Sequence, residues 1–298
     1  MIKKIFNRYS APMFGVFSAA LLLSLPLRAY QYVRVIEPVT GFYKGQNPSI
    51  TLLYALLALA LSIIFLSSYF NKSYISFRKE EKKSVLLGLL GLYVTVALVM
   101  DSIAMANNFN ILYYGARTDI QHPNSQEIAS LTMKAGAIPM LLEAIFASIA
   151  ALFFIFVAIG FFRGKNSWEN LRLLALTPLM WAIFRILHRF MRTISFLRVS
   201  DLFFELIALV FLMLFFLSFA QLMGRVNYKG ADWRLVAYGL NAALMCLLCF
   251  VPRFAMSVTG HGDRLAVLSG VEQIDLALAV FILVFILNKV RFTVRKEA

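Results

Sequence analysis

Long apolar runs recur along the whole chain and limit its fold more than any other feature. A helix needs about 20 mainly apolar residues to cross the hydrocarbon core of a bilayer. Stretches of about that length cover residues 11–29, 49–70, 85–106, 135–162, 172–194, 201–223, 234–254 and 271–289. The pattern therefore predicts an all-α fold. We expect a polytopic transmembrane helical bundle with about eight spans, forming a single integral membrane domain over residues 1–298.

The composition supports the same fold class. The 298 residues are 61% hydrophobic and 15% charged, with a mean hydropathy of +0.77. An ordinary soluble domain is about 45–50% apolar and about 25% charged. These values exclude a soluble globular protein, a disordered chain and a disulfide scaffold. We expect a multi-pass protein of a cell membrane, and of a bacterial cytoplasmic membrane rather than an organelle.

The distribution of basic residues predicts how the spans are oriented. With the N-terminus inside, 18 of the 29 lysines and arginines fall in cytoplasmic segments and 8 fall in outer loops, Arg28 among them. Because short, strongly basic loops stay in the cytoplasm, we expect cytoplasmic N- and C-termini and an even number of spans. The fifth stretch is the weakest candidate, because its apolar run ends before Arg185. A run that short also fits a re-entrant or interfacial segment.

The net charge of +14 indicates contact with a membrane surface and not binding to nucleic acid. Basic residues between apolar runs set topology and meet anionic lipid headgroups, so we expect the lipid bilayer as a partner and no nucleic acid. Cys246 and Cys249 lie inside an apolar stretch, which favours packing residues over a redox or metal pair. The histidines, His122, His188 and His261, are too scattered for a metal site. We expect no metal and no other cofactor.

The fifth span carries a stripe of basic residues. Arg185, His188, Arg189 and Arg192 are spaced so that they share one face of a helix. An arginine at the centre of an inserting helix costs about 2.5–3.5 kcal/mol, and a leucine returns only about 0.3–0.6 kcal/mol. A lipid-facing stripe is therefore excluded, and we expect it to face the bundle interior or water.

Charged residues on other spans also fall in the outer half of the predicted bundle. They are Asp101 on span three, Glu143 on span four, Asp201 and Glu205 on span six, Arg253 on span seven, and Glu272 and Asp275 on span eight. An outward-facing polar chamber is the simplest geometry that accommodates them. We assign Arg185, His188, Arg189, Arg253, Glu143 and Asp101 to a ligand-binding site. A secondary polar cluster would contain Arg192, Asp201, Glu205, Glu272 and Asp275.

Span four also carries a packing signal. Glu143 shares its face with the small residues Gly136, Ala147, Ala150, Ala151 and Ala158. Small residues let another transmembrane helix approach closely, so we expect Glu143 to point inward and to meet an arginine of span five. Prolines can loosen helices in this region and free carbonyls to line a cavity. The candidates are Pro139, Pro178 and Pro252.

Two classes of function fit this pattern, and a third ranks last. The first is a transporter or permease-like protein whose chamber binds a small anionic solute, held by arginine. The second is a non-enzymatic sensor, lipid-headgroup receptor or assembly subunit with a membrane protein partner, in which the charges form a structural ion-pair network. An intramembrane enzyme acting on a lipid-linked substrate, with His188 or Glu143 as the acid–base group, ranks last, because nothing in the sequence distinguishes its nucleophile. The chain also lacks H-E-x-x-H, the phosphate-binding loop and G-x-S-x-G.

Overall fold

The fold is an assembly of long helices. The computed structural model describes residues 11–37, 41–77, 83–118, 136–164, 173–191, 199–223, 228–261 and 272–292. Within these residues the helices are α1 (Ala11–Tyr30), α2 (Pro48–Phe70), α3 (Val85–Thr118), α4 (Ala137–Arg163), α5 (Thr177–Met191), α6 (Val199–Met223), α7 (Tyr228–Val258) and α8 (Gln273–Lys289). Two short antiparallel strands, β1 (Ile75–Phe77) and β2 (Val290–Phe292), are paired. The predicted all-α class is confirmed.

The helices are those of a multi-pass membrane protein. Seven of those described, α1 to α7, are long and apolar enough to cross a bilayer, and they coincide with the first seven predicted spans. For α5 the 18-residue span Leu174–Met191 includes the 3₁₀ turn Leu174–Leu176 that directly precedes the α-helix. Helix α8 has 17 residues, which is at the lower end of the range of about 17–25 for a crossing. The eighth crossing, the cytoplasmic termini and the single domain stay predictions.

Several helix boundaries differ from the predicted ones. Helix α3 continues to Thr118 through polar residues that the hydropathy pattern assigned to a loop, and α7 runs beyond its predicted span at both ends. Pro139 and Pro178 lie in the first turns of α4 and α5. A proline is accommodated there, since the first N–H groups of a helix have no partner within it. The prediction that Pro139 loosens its helix is therefore wrong. Pro178 follows the 3₁₀ turn Leu174–Leu176, and Pro252 lies inside α7, so for these two prolines it stays a prediction.

The described residues fall into two compact units, and the first consists of Lys83–Ser195. Within it α4 packs against both α3 and α5. The small residues of α4 are buried, as the packing signal predicts. Ser102 on α3 donates a hydrogen bond of 2.8 Å to the carbonyl oxygen of Ala144 on α4. Close approach of the backbones makes this contact possible.

The second unit consists of Met1–Lys82 and Phe196–Ala298. Helix α7 is its centre, since it packs against α1, α2, α6 and α8 and is the most buried of the candidate spans. Cys246 and Cys249 are buried in α7 in the reduced form. Their placement agrees with the interpretation that they are packing residues.

A substitution at a glycine of α3 tests whether α3 and α4 approach each other closely. A Cβ atom on Gly91 would lie 3.1 Å from the Cβ atom of Ala158. We expect Gly91→Leu to lower the free energy of unfolding by about 1–3 kcal/mol, because an enlarged side chain at a tight contact forces the helices apart. Denaturation in mixed detergent micelles measures the change.

The matched control is Gly15→Leu on the exposed surface of α1, where an added Cβ meets no atom within 4 Å. We expect this variant to be as stable as the parent or slightly more stable, because leucine favours a helix over glycine. An equal loss of stability in the two variants would contradict the close packing of α3 and α4.

Candidate functional site: two buried charge clusters

The basic stripe of α5 forms the first cluster. We call Asp101, Glu143, Arg185 and His188 the Arg185 cluster. Along α5 the buried residues recur every three or four positions, so one face of the helix is turned inward and carries Arg185 and His188. Helix α3 supplies Asp101 and α4 supplies Glu143. The cluster therefore joins α3, α4 and α5.

Arg185 is paired with two carboxylates. Its Nη1 atom donates to both oxygens of Asp101, each at 2.7 Å, and to Oε1 of Glu143 at 3.0 Å. The guanidinium also lies over the indole ring of Trp181, 5.2 Å from the ring centre. Arg185 is 2% exposed and Glu143 is 1% exposed. As the packing signal predicts, Glu143 points inward and meets an arginine of span five.

His188 completes the cluster from the next turn of α5. Its Nδ1 atom lies 2.6 Å from Oε2 of Glu143. Its Nε2 atom is buried and has no hydrogen-bond partner among the described residues. The carboxylate thus orients the imidazole by one nitrogen and leaves the other nitrogen as an unused polar atom.

The second cluster lies in the other unit. We call Arg28, Asp201, Glu205 and Arg253 the Arg28 cluster. Nη2 of Arg28 donates to Oδ1 of Asp201. Nη2 of Arg253 donates to Oε1 of Glu205 at 2.6 Å and lies 3.6 Å from Oδ2 of Asp201. All four residues are at most 5% exposed, so the charges balance inside the unit and away from water.

A π-helical segment, Gln31–Val35, continues α1 and supports the Arg28 cluster. Tyr32 on this segment donates a 2.7 Å hydrogen bond to Oδ1 of Asp201. Gln31 accepts from Arg28 at 2.9 Å and donates to the carbonyl oxygen of Ser49 at 2.9 Å. Helical segments of this type are frequent at functional sites. Here the wider turn brings two polar side chains against the charges.

The predicted ligand-site residues fall into both units. Asp101, Glu143, Arg185 and His188 are together in the Arg185 cluster, and Arg189 is half-buried on the same helix. The described partners of Arg253 are Glu205, Asp201 and Tyr32. Two of these partners, Asp201 and Glu205, come from the predicted secondary cluster. A single chamber shared by all six predicted ligand-site residues is therefore not needed to give Arg253 its carboxylate partners.

The other secondary residues have different places. Glu272 is the N-cap residue of α8 and Asp275 lies in its first turn, where acidic side chains interact favourably with the helix dipole. Arg192 and His122 lie outside the described residues. No group of three His, Cys, Asp or Glu side chains that could hold a metal occurs among the described residues.

The sequence-based assignment missed three buried residues in or beside the Arg28 cluster: Arg28, Gln31 and Tyr32. The assignment counted Arg28 among outer-loop residues, but it is 1% exposed and lies within α1. The prediction that Arg28 lies in an outer loop is therefore wrong. One signal was present, since Arg28 follows an apolar run directly and Asp201 opens another. An arginine and an acidic residue that lie at the ends of two spans on the same side of the membrane are candidates for an ion pair.

The chemistry of both clusters is that of buried ion pairs between helices. Arg28, Arg185 and Arg253 each donate to at least one carboxylate of another helix. Removing one partner from such a pair is costly, because the other charge stays buried without compensation. Each pair links residues of different helices within its unit: α1 with α6, α5 with α3 and α4, and α7 with α6.

A double-mutant cycle on Arg28 and Asp201 tests this role. We expect Arg28→Met to lower the free energy of unfolding by about 3–5 kcal/mol, because Asp201 loses its direct partner in a buried site. Asp201→Asn added to Arg28→Met should recover part of the loss, since it removes the uncompensated charge and keeps an acceptor for Tyr32. Denaturation of the purified protein in detergent gives all four values.

The matched control is Arg34→Met on the same π-helical segment, where the arginine is exposed. A surface change of this kind is expected to stay within about 0.5 kcal/mol. Strictly additive losses for Arg28→Met and Asp201→Asn would show that the two charges do not depend on each other.

The chain was also compared with known proteins. No family model, no curated protein and no solved structure matches it.

Proposed function

We propose that this multi-pass membrane protein is a non-enzymatic receptor or assembly protein, and that its intramembrane charges form a structural ion-pair network. The observation that carries the proposal is the pairing of its buried arginines. Arg28 donates to Asp201, Arg185 donates to Asp101 and Glu143, and Arg253 donates to Glu205. Each guanidinium is neutralised by side chains of the protein itself.

This pairing weighs against the transport of a small anionic solute. An anion that binds Arg185 or Arg253 must compete with carboxylates at 2.6–3.0 Å. Freeing an arginine from a buried pair exposes its partner as an uncompensated charge, which costs about 3–5 kcal/mol. A bound solute would have to supply that free energy in addition to its own desolvation. A receptor or scaffold has no such requirement.

Anion transport stays as the second candidate because of one atom. Nε2 of His188 is buried and has no hydrogen-bond partner among the described residues, and buried polar atoms are normally satisfied. With Nδ1 donating to Glu143, Nε2 of a neutral imidazole accepts, so a solute that carries an O–H group, such as dihydrogen phosphate, would supply the missing partner. Intramembrane ionisable residues are functional candidates by default, so the two functions need a direct test.

Uptake by proteoliposomes separates the two functions. The purified full chain is reconstituted and assayed with radiolabelled phosphate, chloride and succinate, under an imposed pH gradient and without one. We expect uptake equal to that of protein-free liposomes for each anion, because the buried guanidiniums are committed to carboxylates.

Variants make the uptake assay specific. Arg185→Gln and Arg253→Gln change the two arginines assigned to the ligand site, and Arg34→Gln is the matched control at an exposed arginine. Uptake that disappears in Arg185→Gln or Arg253→Gln but persists in Arg34→Gln would overturn the proposal in favour of an anion transporter.

A further inference from the structure

An apolar cavity lies beside the Arg28 cluster, in the same unit. It has a volume of about 570 Å³ and is bounded by α2, α6, Met245 of α7 and the segment Gly41–Tyr43. Pockets for small molecules commonly have volumes of about 300–1,000 Å³. The cavity is therefore large enough for a ligand and not only for solvent.

The cavity opens to the outer surface of α2 and α6. Two of its lining residues, Ala58 and Phe203, are exposed, while two others, Leu57 and Phe204, are buried. Both helices are candidate membrane spans. A ligand can therefore enter between these two helices from the apolar phase of the membrane.

Two tyrosine hydroxyl groups form the polar part of the wall. The hydroxyl oxygens of Tyr43 and Tyr54 are 3.5 Å apart. Arg28 donates from Nη1 to the Tyr43 hydroxyl oxygen at 3.1 Å. Tyr43 is held in place by an isolated β-bridge to Ile36 and by the adjacent 2.7 Å hydrogen bond from the Lys44 amide to the Val35 carbonyl oxygen.

These hydrogen bonds determine what the tyrosines can offer a ligand. The Tyr43 oxygen accepts from Arg28, so its own hydrogen is free to be donated. Among the described residues, the acceptor within its reach is the Tyr54 hydroxyl oxygen, at the long distance of 3.5 Å. A ligand oxygen placed between the two hydroxyl groups would receive a better hydrogen bond. The wall thus favours a ligand that ends in an oxygen acceptor.

The charge around the cavity indicates which kind of oxygen. The described residues that line the cavity are all uncharged. Arg28 lies behind Tyr43, but its charge is neutralised by Asp201. A phosphate or carboxylate would lose its hydration here without gaining a cation, and burying an unpaired charge is very costly. An uncharged polar end has no such penalty.

We propose that the cavity binds an uncharged membrane lipid, with an apolar body against α2 and α6 and a hydroxyl or ester oxygen at Tyr43 and Tyr54. This inference goes beyond the proposed function by naming a ligand. It is also independent of the uptake assay that tests the proposed function. The cavity is lined by neither Arg185 nor Arg253, so a positive uptake result would leave it intact.

Photolabelling in nanodiscs tests the class of the ligand. The full chain is placed in phosphatidylcholine nanodiscs that contain a trace of photoreactive diacylglycerol, or of photoreactive phosphatidic acid with identical acyl chains. We expect diacylglycerol to label peptides of α2 or α6 about tenfold more strongly than phosphatidic acid, because only the phosphatidic acid headgroup is charged. Mass spectrometry of the digested protein locates and quantifies the label.

Two variants test the site itself. Leu61→Trp fills the cavity from α2 and should reduce diacylglycerol labelling to background. Leu59→Trp is the matched control, since Leu59 is on the same helix, 62% exposed and not part of the cavity wall. Tyr54→Phe removes one hydroxyl group and should weaken labelling about two- to tenfold, the effect of one neutral hydrogen bond. Thermal unfolding in detergent checks that each variant is folded.

Three outcomes would overturn the inference. Equal labelling by the two lipids would refute an uncharged headgroup. Labelling that Leu61→Trp and Leu59→Trp affect equally would refute the cavity as the site. Failure of diacylglycerol to label, together with a dimer of this chain that only Leu61→Trp dissociates, would show that a second copy covers the cavity.

Discussion

A guanidinium group in hydrocarbon requires a carboxylate beside it, and the described arrangement of helices depends on this requirement. Arg28 and Asp201 are 173 positions apart in the chain, yet their bond joins α1 to α6. Arg185 likewise connects α5 to α3 and α4. Apolar side chains give little preference for one helix neighbour over another in lipid, because lipid tails are as apolar as the side chains. In the proposed function, the ion pairs supply that preference.

The same interaction shapes the backbone next to it. Arg28 directs donors to Asp201, Gln31 and Tyr43 at once. The π-helical turn after α1 places Gln31 within reach of Nη1 of Arg28, and the chain then turns back so that the Tyr43 hydroxyl accepts from the same nitrogen. The polar end of the apolar cavity is thus a consequence of the way one buried charge is satisfied.

Much of this could be predicted from the sequence, since hydropathy and charge act over single helices. The stripe of α5, the inward direction of Glu143 and the approximate positions of the spans follow from periodicity and length. The partners of Arg253 and the buried position of Arg28 do not, because they depend on contacts between helices far apart in sequence. The extension of α3 to Thr118 was missed because hydropathy measures lipid compatibility and not helix formation.

Charge neutrality also connects the Arg28 cluster to the proposed lipid ligand. A pair such as Arg28 and Asp201 cannot serve a charged ligand without breaking, since each charge is the other's compensation. It can still polarise a neutral group, because the donor Nη1 of Arg28 reaches the Tyr43 hydroxyl while Nη2 stays on Asp201. Through this hydrogen bond, the charge of Arg28 polarises the Tyr43 hydroxyl in the cavity wall, while Arg28 itself stays buried. A membrane protein built in this way can recognise an oxygen atom in an apolar ligand and keep its ion pairs closed.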